Sequence, residues 1–251
     1  MSINQILPFA STLVMLIFTV SVFQRYAVRR KPHFLFWGIG LAMFGAGSFA
    51  EAYFSIFGWS AVVFFLWYFF GAVLNAGWIG HGTLMLLVRK RWRNIVTGIL
   101  IVGSLAAAVL MFQAMARLNP ANFQAGVPIS EQFREIMPAI DAGGVVRLTT
   151  PFFNVYGMVT LVGGALWSAW IFLRKRVLPN RVIGNVLIAA GALSIGFAST
   201  LTRMGYGQLL YVGELIAAVL MYIGFVMAGR PEPVVERNPV ATSVPAAGAS
   251  D

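Results

Sequence analysis

The chain contains seven apolar runs, each close to the ~20 residues that a helix needs to cross the hydrocarbon core of a bilayer. The predicted spans are residues 5–24, 34–54, 61–88, 94–116, 151–173, 182–202 and 208–228. Only 10% of the 251 residues are charged and 59% are hydrophobic, with a mean hydropathy of +0.80. A soluble domain averages roughly 25% charged residues. The pattern predicts an all-α, polytopic membrane protein whose seven helices form one bundle over residues 1–228.

The basic residues predict how this bundle is oriented. Fourteen of the 18 Lys and Arg residues fall in loops 1–2, 3–4 and 5–6 and in the C-terminal tail, and four fall on the other side. The positive-inside rule therefore predicts that the N-terminus is outside and the C-terminus inside. Because the basic residues lie in short clusters between apolar runs, the net charge of +10 does not indicate nucleic-acid binding. The first run is preceded by no basic segment and has no small-x-small cleavage site, so we expect it to be retained as a helix.

Two segments lie outside the predicted helices. The outer loop 117–150 carries Ile129, Phe133, Ile136 and Met137 at helical spacing, which predicts a short amphipathic helix at the outer interface. This helix is either part of a packed loop or a lid over an outer cavity. The tail 229–251 is rich in Pro, Ala, Val and Ser, which predicts a disordered cytoplasmic segment.

A weak internal similarity suggests a 3+1+3 parallel repeat of spans 1–3 and 5–7. "FAEAYFSIFGW" at 49–59 parallels "FASTLTRMGY" at 197–206, and "AVLNAGWIG" at 72–80 parallels "AVLMYIG" at 218–224. Chance similarity between apolar helices is the alternative explanation. If the duplication is real, a ligand site is expected between the repeats.

The stretch "YGQLLYVGELIAAVLMYIGFVMAG" at 206–229 contains one carboxylate, Glu214, inside an apolar run. At helical spacing Glu214 shares a face with Tyr211 and Ala218, whereas the opposite face is purely aliphatic. Glu214 is therefore predicted to point into the bundle, where ionisable groups of membrane proteins usually have a function.

Depth along the helices predicts the partners of this carboxyl group. Glu51 and Arg203 both lie near outer helix ends, so we expect them to form an ion pair. Glu214 lies about 10 Å deeper at 1.5 Å per residue. A carboxyl group without a counter-ion in a low dielectric tends to stay neutral. We therefore expect a protonated Glu214 that donates a hydrogen bond to Tyr68 or Asn154.

Two interpretations of these polar groups stay open. In the first, Glu51, Arg203 and Glu214 bound an outward-facing polar cavity that binds a ligand or a proton. Its further lining residues would be Tyr68, Asn154, Tyr156, Tyr206 and Tyr211. In the second, the same groups are structural ties that fix the packing of the helices.

The remaining candidates are weaker, and several chemistries are excluded. His81, near Trp78, is either a hydrogen-bonded core residue or part of a site, and a haem held with His33 is disfavoured by their different depths. All three lysines lie in loops, which excludes a retinal Schiff base, and the chain has no cysteine. The few His, Asp and Glu residues do not supply a metal centre or a catalytic cluster. We therefore expect no cofactor, no metal and no catalytic residues.

Four segments carry a resemblance to known sequences. They are "WYFFGAVLNAGWIGHGTLMLL", "PNRVIGNVLIAAGAL", "STLTRMG" and "GELIAAVLMYIGFVMAG". The chain resembles a group of bacterial seven-helix multi-pass membrane proteins that has no assigned activity. The resemblance implies a bacterial inner-membrane location and marks Asn185, Arg203 and Glu214 as typical features, but it implies no chemistry.

The functional prediction is a small transporter-like or ligand-binding module of the inner membrane. The alternative is an accessory or assembly subunit of a membrane complex. The expected partners are the lipid bilayer, a small-molecule ligand, and a membrane protein or a second copy of the chain. Nucleic acid is not among them.

Overall fold

The computed structural model describes residues 3–175 and 178–230, which form a helical bundle. Within these ranges there are eight helices, a 3₁₀ turn at Pro120–Asn122 and no strand. The helices are α1 Ile3–Arg29, α2 Pro32–Phe57, α3 Ala61–Leu87, α4 Lys90–Met115, α5 Ile129–Ile136, α6 Val145–Arg174, α7 Pro179–Arg203 and α8 Gln208–Ala228. All except α5 are long and apolar enough to cross a membrane. The prediction of an all-α polytopic membrane protein with seven spans is therefore confirmed.

The helices begin where the local sequence favours a start. Pro32 and Pro179 occupy first-turn positions, where a missing N–H costs nothing. The hydroxyl of Ser60 accepts the N–H of Val63 at 3.4 Å and so caps α3. α6 begins at Val145, earlier than the predicted residue 151. Its first turn, Val145–Leu148, is a 3₁₀ helix.

Small residues bring the helix backbones into close contact. A Cβ atom added to Gly47 of α2 would lie 2.8 Å from the Cα atom of Gly71 of α3. The same closeness occurs between α3 and α6 at Gly80 and Gly157, and between α7 and α8 at Gly184 and Gly224. Helices in lipid associate through such packing because burial of apolar surface gives no advantage there.

Two helices contain π-helical segments that change the direction of their side chains. In α3 the segment is Leu66–Leu74, and in α6 it is Val159–Gly163. A π-helical segment advances the register relative to a 3.6-residue period, and such segments are frequent at functional sites. The π-helical segment of α3 includes Trp67 and Tyr68. These two residues therefore do not lie on the helix face that a 3.6-residue period assigns to them.

The predicted amphipathic helix in the outer loop is present as α5. Its apolar residues Ile129 and Ile136, and the following Met137, are buried in the same cluster as Phe64 and Trp67 of α3. α5 therefore packs onto the end of the bundle as a cap, and its position relative to the lipid interface stays a prediction. The prediction for the tail 229–251 concerns residues that, beyond Arg230, lie outside the described ranges. The orientation of the bundle and the repeat stay predictions.

The contact between Gly47 and Gly71 gives a direct test of this packing. G47A places a methyl group against the backbone of α3, and overpacking of this kind costs about 1–3 kcal/mol. G98A is the matched control, because nothing lies within 4 Å of an added Cβ at Gly98 of α4. In a helix interior Gly→Ala is otherwise neutral or stabilising by up to about 1 kcal/mol. Thermal unfolding in detergent should rank the proteins as G98A ≥ wild type > G47A, and equal stability of the two variants would contradict this packing.

Candidate functional site

The central feature of the site is a pair of carboxyl groups, Glu51 of α2 and Glu214 of α8. The two side chains lie close enough to interact with each other, and they are 2% and 9% exposed. The Oε2 atoms of both are buried, and no N–H or hydroxyl group of the described residues donates to either. An ionised carboxylate can only accept hydrogen bonds, so a bond between two carboxyl groups requires a proton on one of them. Two neighbouring carboxyl groups away from water repel each other strongly when both are ionised, so we expect the pair to hold one proton.

Trp67 fixes the remaining oxygen of Glu51. Its indole Nε1 donates to Glu51 Oε1 at 3.0 Å, and this bond is buried. The Trp67 ring packs against the rings of Phe64 and Phe133, with centroid distances of 5.8 and 5.6 Å. Because Phe133 belongs to α5, the cap helps to hold the indole against the carboxyl pair.

Tyr211 and Glu131 lie near the carboxyl pair on the side of α5. Tyr211 precedes Glu214 by three residues on α8 and is buried. It is close enough to interact electrostatically with Glu51, Glu214 and Glu131. Glu131 of α5 is exposed, and its side chain lies directly against Gly207 at the start of α8. A hydroxyl and an exposed carboxyl group thus connect the buried pair with the end of the bundle that α5 covers.

The prediction that Glu51 and Glu214 lie at different depths was wrong. Glu51 lies six residues before Phe57, where α2 ends, and Glu214 lies six residues after Gln208, where α8 begins. At 1.5 Å per residue both carboxyl groups are about 9 Å below these helix ends. The Arg203 side chain, the expected partner of Glu51, lies outside the described part of the chain. The predicted ion pair between Arg203 and Glu51 therefore stays a prediction.

Tyr68 and Asn154 do not bind Glu214 as predicted. The Tyr68 hydroxyl is 3.4 Å from Thr150 Oγ1, and Asn154 Nδ2 donates to the carbonyl of Ala72 at 3.3 Å. Both bonds join α3 to α6 and lie away from α8, because the π-helical segment turns Tyr68 towards α6. Of the five tyrosine and asparagine residues predicted to line a cavity, Tyr211 lies beside the pair, whereas Tyr206 is 59% exposed.

His81 is a fully buried core histidine. Nδ1 is 2.7 Å from the Tyr156 hydroxyl of α6, and Nε2 is 3.0 Å from Thr97 Oγ1 of α4. The ring of Phe36 meets it edge-on with a centroid distance of 4.6 Å. Both ring nitrogens therefore have neutral hydroxyl partners, and His81 ties three helices together. The interpretation of His81 as a hydrogen-bonded core residue is supported by these contacts.

Two other candidates have local partners. Trp78 Nε1 donates to Ser104 Oγ of α4 at 3.2 Å, and Asn185 Nδ2 donates to the carbonyl of Arg181 at 2.9 Å. Neither side chain joins the carboxyl pair. Among the described residues no three His, Asp or Glu side chains are grouped as a metal ion would require.

The predicted outward cavity is closed in this structure. Trp67 and Tyr211 are buried around the carboxyl pair, and so is Ser48, which lies one turn from Glu51 on α2. The Ser48 Oγ atom has no hydrogen-bond partner among the described groups. Two clefts on the described surface are lined by the ends of α1 and α8, and neither includes a carboxyl group of the pair.

Sequence reasoning missed Trp67 and Glu131. Trp67 lies in the apolar run 61–74 with five other aromatic residues, and it belongs to a π-helical segment that departs from the 3.6-residue period. Glu131 stands in the first turn of the amphipathic segment, where an acidic residue is expected simply to favour the helix start. The available signal for Glu131 was its position in the first turn of a short helix that covers the end of the bundle.

The bond from Trp67 to Glu51 can be tested with a matched pair of tryptophan substitutions. W67F leaves a buried carboxyl oxygen without its donor, which should cost about 2 kcal/mol of unfolding free energy. W78F removes a bond to a neutral serine hydroxyl and should cost about 1 kcal/mol. The measurement is thermal or denaturant unfolding in detergent. A W67F variant as stable as W78F would contradict the assigned role of Trp67.

Comparison with known proteins adds no assignment to this geometry. No family model, no curated protein and no solved structure matches the chain. The resemblance to a bacterial group of multi-pass membrane proteins therefore stays a prediction. Any functional conclusion must come from the carboxyl pair and its surroundings.

Proposed function

We propose that this multi-pass membrane protein is a proton-coupled, transporter-like module of the bacterial inner membrane. The carboxyl pair of Glu51 and Glu214 binds and releases the coupling proton, and the small-molecule ligand binds between the helices that the pair joins. The observation that carries the proposal is the contact of two buried carboxyl groups inside the span region. Ionisable groups at such positions are costly, and in membrane proteins they mark substrate, ion and proton pathways.

The shared proton couples charge to the distance between α2 and α8. With the proton in place, the two carboxyl groups attract each other through a hydrogen bond. Without it, two like charges meet in a low dielectric and repel strongly. Loss of the proton therefore favours separation of the two helices, which would open the closed space around the pair.

The surroundings of the pair favour proton exchange with the α5 side. Tyr211 is near both the pair and the exposed Glu131, and Trp67 donates to Glu51 from α3. The positive-inside rule makes the α5 side the outer one. A proton would pass from solvent through Glu131 and Tyr211 to the pair.

The alternative is an accessory subunit in which the pair is a packing tie. The close packing around the pair favours this candidate, because Glu51, Glu214, Trp67 and Tyr211 are all buried. The two candidates differ in one respect: a transporter-like module must open around the pair, and a packing tie stays closed.

The pH dependence of stability tests the shared proton. The native state holds a proton that the unfolded chain releases, so unfolding free energy should fall as pH rises from about 5 to about 8. In E214Q an amide N–H replaces the shared proton permanently, so this part of the pH dependence should disappear. E135Q, an exposed position on α5, is the control and should behave as wild type. If E214Q keeps the pH dependence of wild type, the two carboxyl groups do not share a proton.

Opening can be measured because the chain has no cysteine. S48C places a single buried thiol one turn from Glu51, and Q124C places an exposed thiol in the outer loop as the control. With a water-soluble maleimide, S48C should react faster near pH 8 than near pH 5, after correction for the rates of Q124C. Lack of reaction of S48C at both pH values, with Q124C reacting, would reject the transporter-like module and favour the packing tie.

A further inference from the structure

A cleft at the opposite end of the bundle carries a concentration of positive charge. α1 and α8 lie side by side, and their ends open a cleft of about 390 Å³. It is lined by Ser21, Gln24, Arg25, Val28, Arg29, Phe225 and Val226. A second, smaller cleft shares Val226 and extends the first to Tyr222 and Arg230.

Arg25 lines this cleft and is held in position by contacts with α8. Its guanidinium carbon lies 4.0 Å from the centre of the Phe225 ring, and Nη1 donates to the Phe225 carbonyl at 3.4 Å. The same side chain lies against Gly229, just after the end of α8. A guanidinium has five N–H donors, so most of them stay available to a ligand. Because the side chain is already ordered, little entropy is lost when a ligand binds.

The charges around Arg25 are uncompensated within the described residues. Arg29 follows one turn later on α1, and Arg230 lines the adjoining cleft. Neither cleft has an acidic lining residue. The acidic residues of the described ranges lie elsewhere, at Glu51, Glu131, Glu135, Asp141 and Glu214. Three arginines line two adjoining clefts that have no acidic lining residue, and this arrangement favours binding of an anion.

The walls of the cleft identify the kind of anion. Val28 and Ile223 are exposed beside the arginines, on helices that cross the membrane. A ligand that matches this arrangement has a phosphate at the helix ends and apolar chains along the helices. Arginine pairs with phosphate through two parallel hydrogen bonds. Basic pockets between membrane helices bind the headgroups of anionic lipids.

We propose that the cleft between the ends of α1 and α8 binds the phosphate headgroup of an anionic phospholipid, with Arg25, Arg29 and Arg230 as its ligands. The lipid bridges the first and last helices of the bundle. The site is separate from the carboxyl pair and does not depend on the function proposed for that pair.

Thermal unfolding of the detergent-purified full chain tests the proposal. Phosphatidylglycerol should raise the unfolding temperature more than phosphatidylcholine does, and inorganic phosphate should have little effect. R29Q should weaken the apparent affinity for phosphatidylglycerol about fivefold, since each basic residue near an anionic surface contributes about 1 kcal/mol. R25Q should weaken it further, because Arg25 is the ordered centre of the site. R89Q, an exposed arginine before α4 at the same end, is the matched control and should bind as wild type.

Several outcomes would overturn the proposal. R25Q also loses its contacts to Phe225 and can be less stable by itself, so R29Q decides the question. An unchanged response of R29Q, or equal effects of the two lipids, would remove the site. A full effect of inorganic phosphate would replace the lipid by a free anion. Glu232 and Glu236 follow Arg230 in the sequence, and a larger lipid response of E232Q/E236Q would show that the tail occupies the cleft.

Discussion

Two carboxyl groups in contact inside a membrane protein cannot both be ionised, and the site depends on this constraint. Glu51 and Glu214 meet between α2 and α8, away from water, with no donor from the described groups on either Oε2 atom. The repulsion of two charges at this distance grows as the dielectric falls. A single proton converts that repulsion into a hydrogen bond. The state of this proton therefore decides whether the two helices attract or repel each other.

The rest of the fold brings the two carboxyl groups together and keeps them dry. Gly47 allows α2 to touch α3, so the indole of Trp67 can reach Glu51. α5 covers this end of the bundle through Ile129 and Phe133. Farther along the bundle, the contacts of His81 with Tyr156 and Thr97 tie α4 and α6 to α3. Since lipid provides no hydrophobic driving force between helices, these few polar bonds and glycine contacts have an unusually large share in holding the bundle.

The large-scale features could be predicted because they depend on composition and periodicity. Seven spans follow from hydrophobic length, and the inward direction of Glu214 follows from the aliphatic face opposite it, whose Val212 and Ile216 are indeed exposed. The partner of Glu214 could not be predicted because it depends on where helices end. α2 continues to Phe57, three residues beyond the predicted end, and this brings Glu51 to the depth of Glu214. Tyr68 was misplaced because a π-helical segment breaks the 3.6-residue period on which face assignments depend.

The most direct test of the shared proton is infrared spectroscopy of the purified protein at neutral pH. A protonated carboxyl group has a C=O stretching band that ionised carboxylates lack. The shared proton predicts such a band in wild type, altered or lost in both E51Q and E214Q and unchanged in E135Q. Absence of the band at neutral pH, or a band that neither E51Q nor E214Q changes, would show that Glu51 and Glu214 do not hold a proton between them.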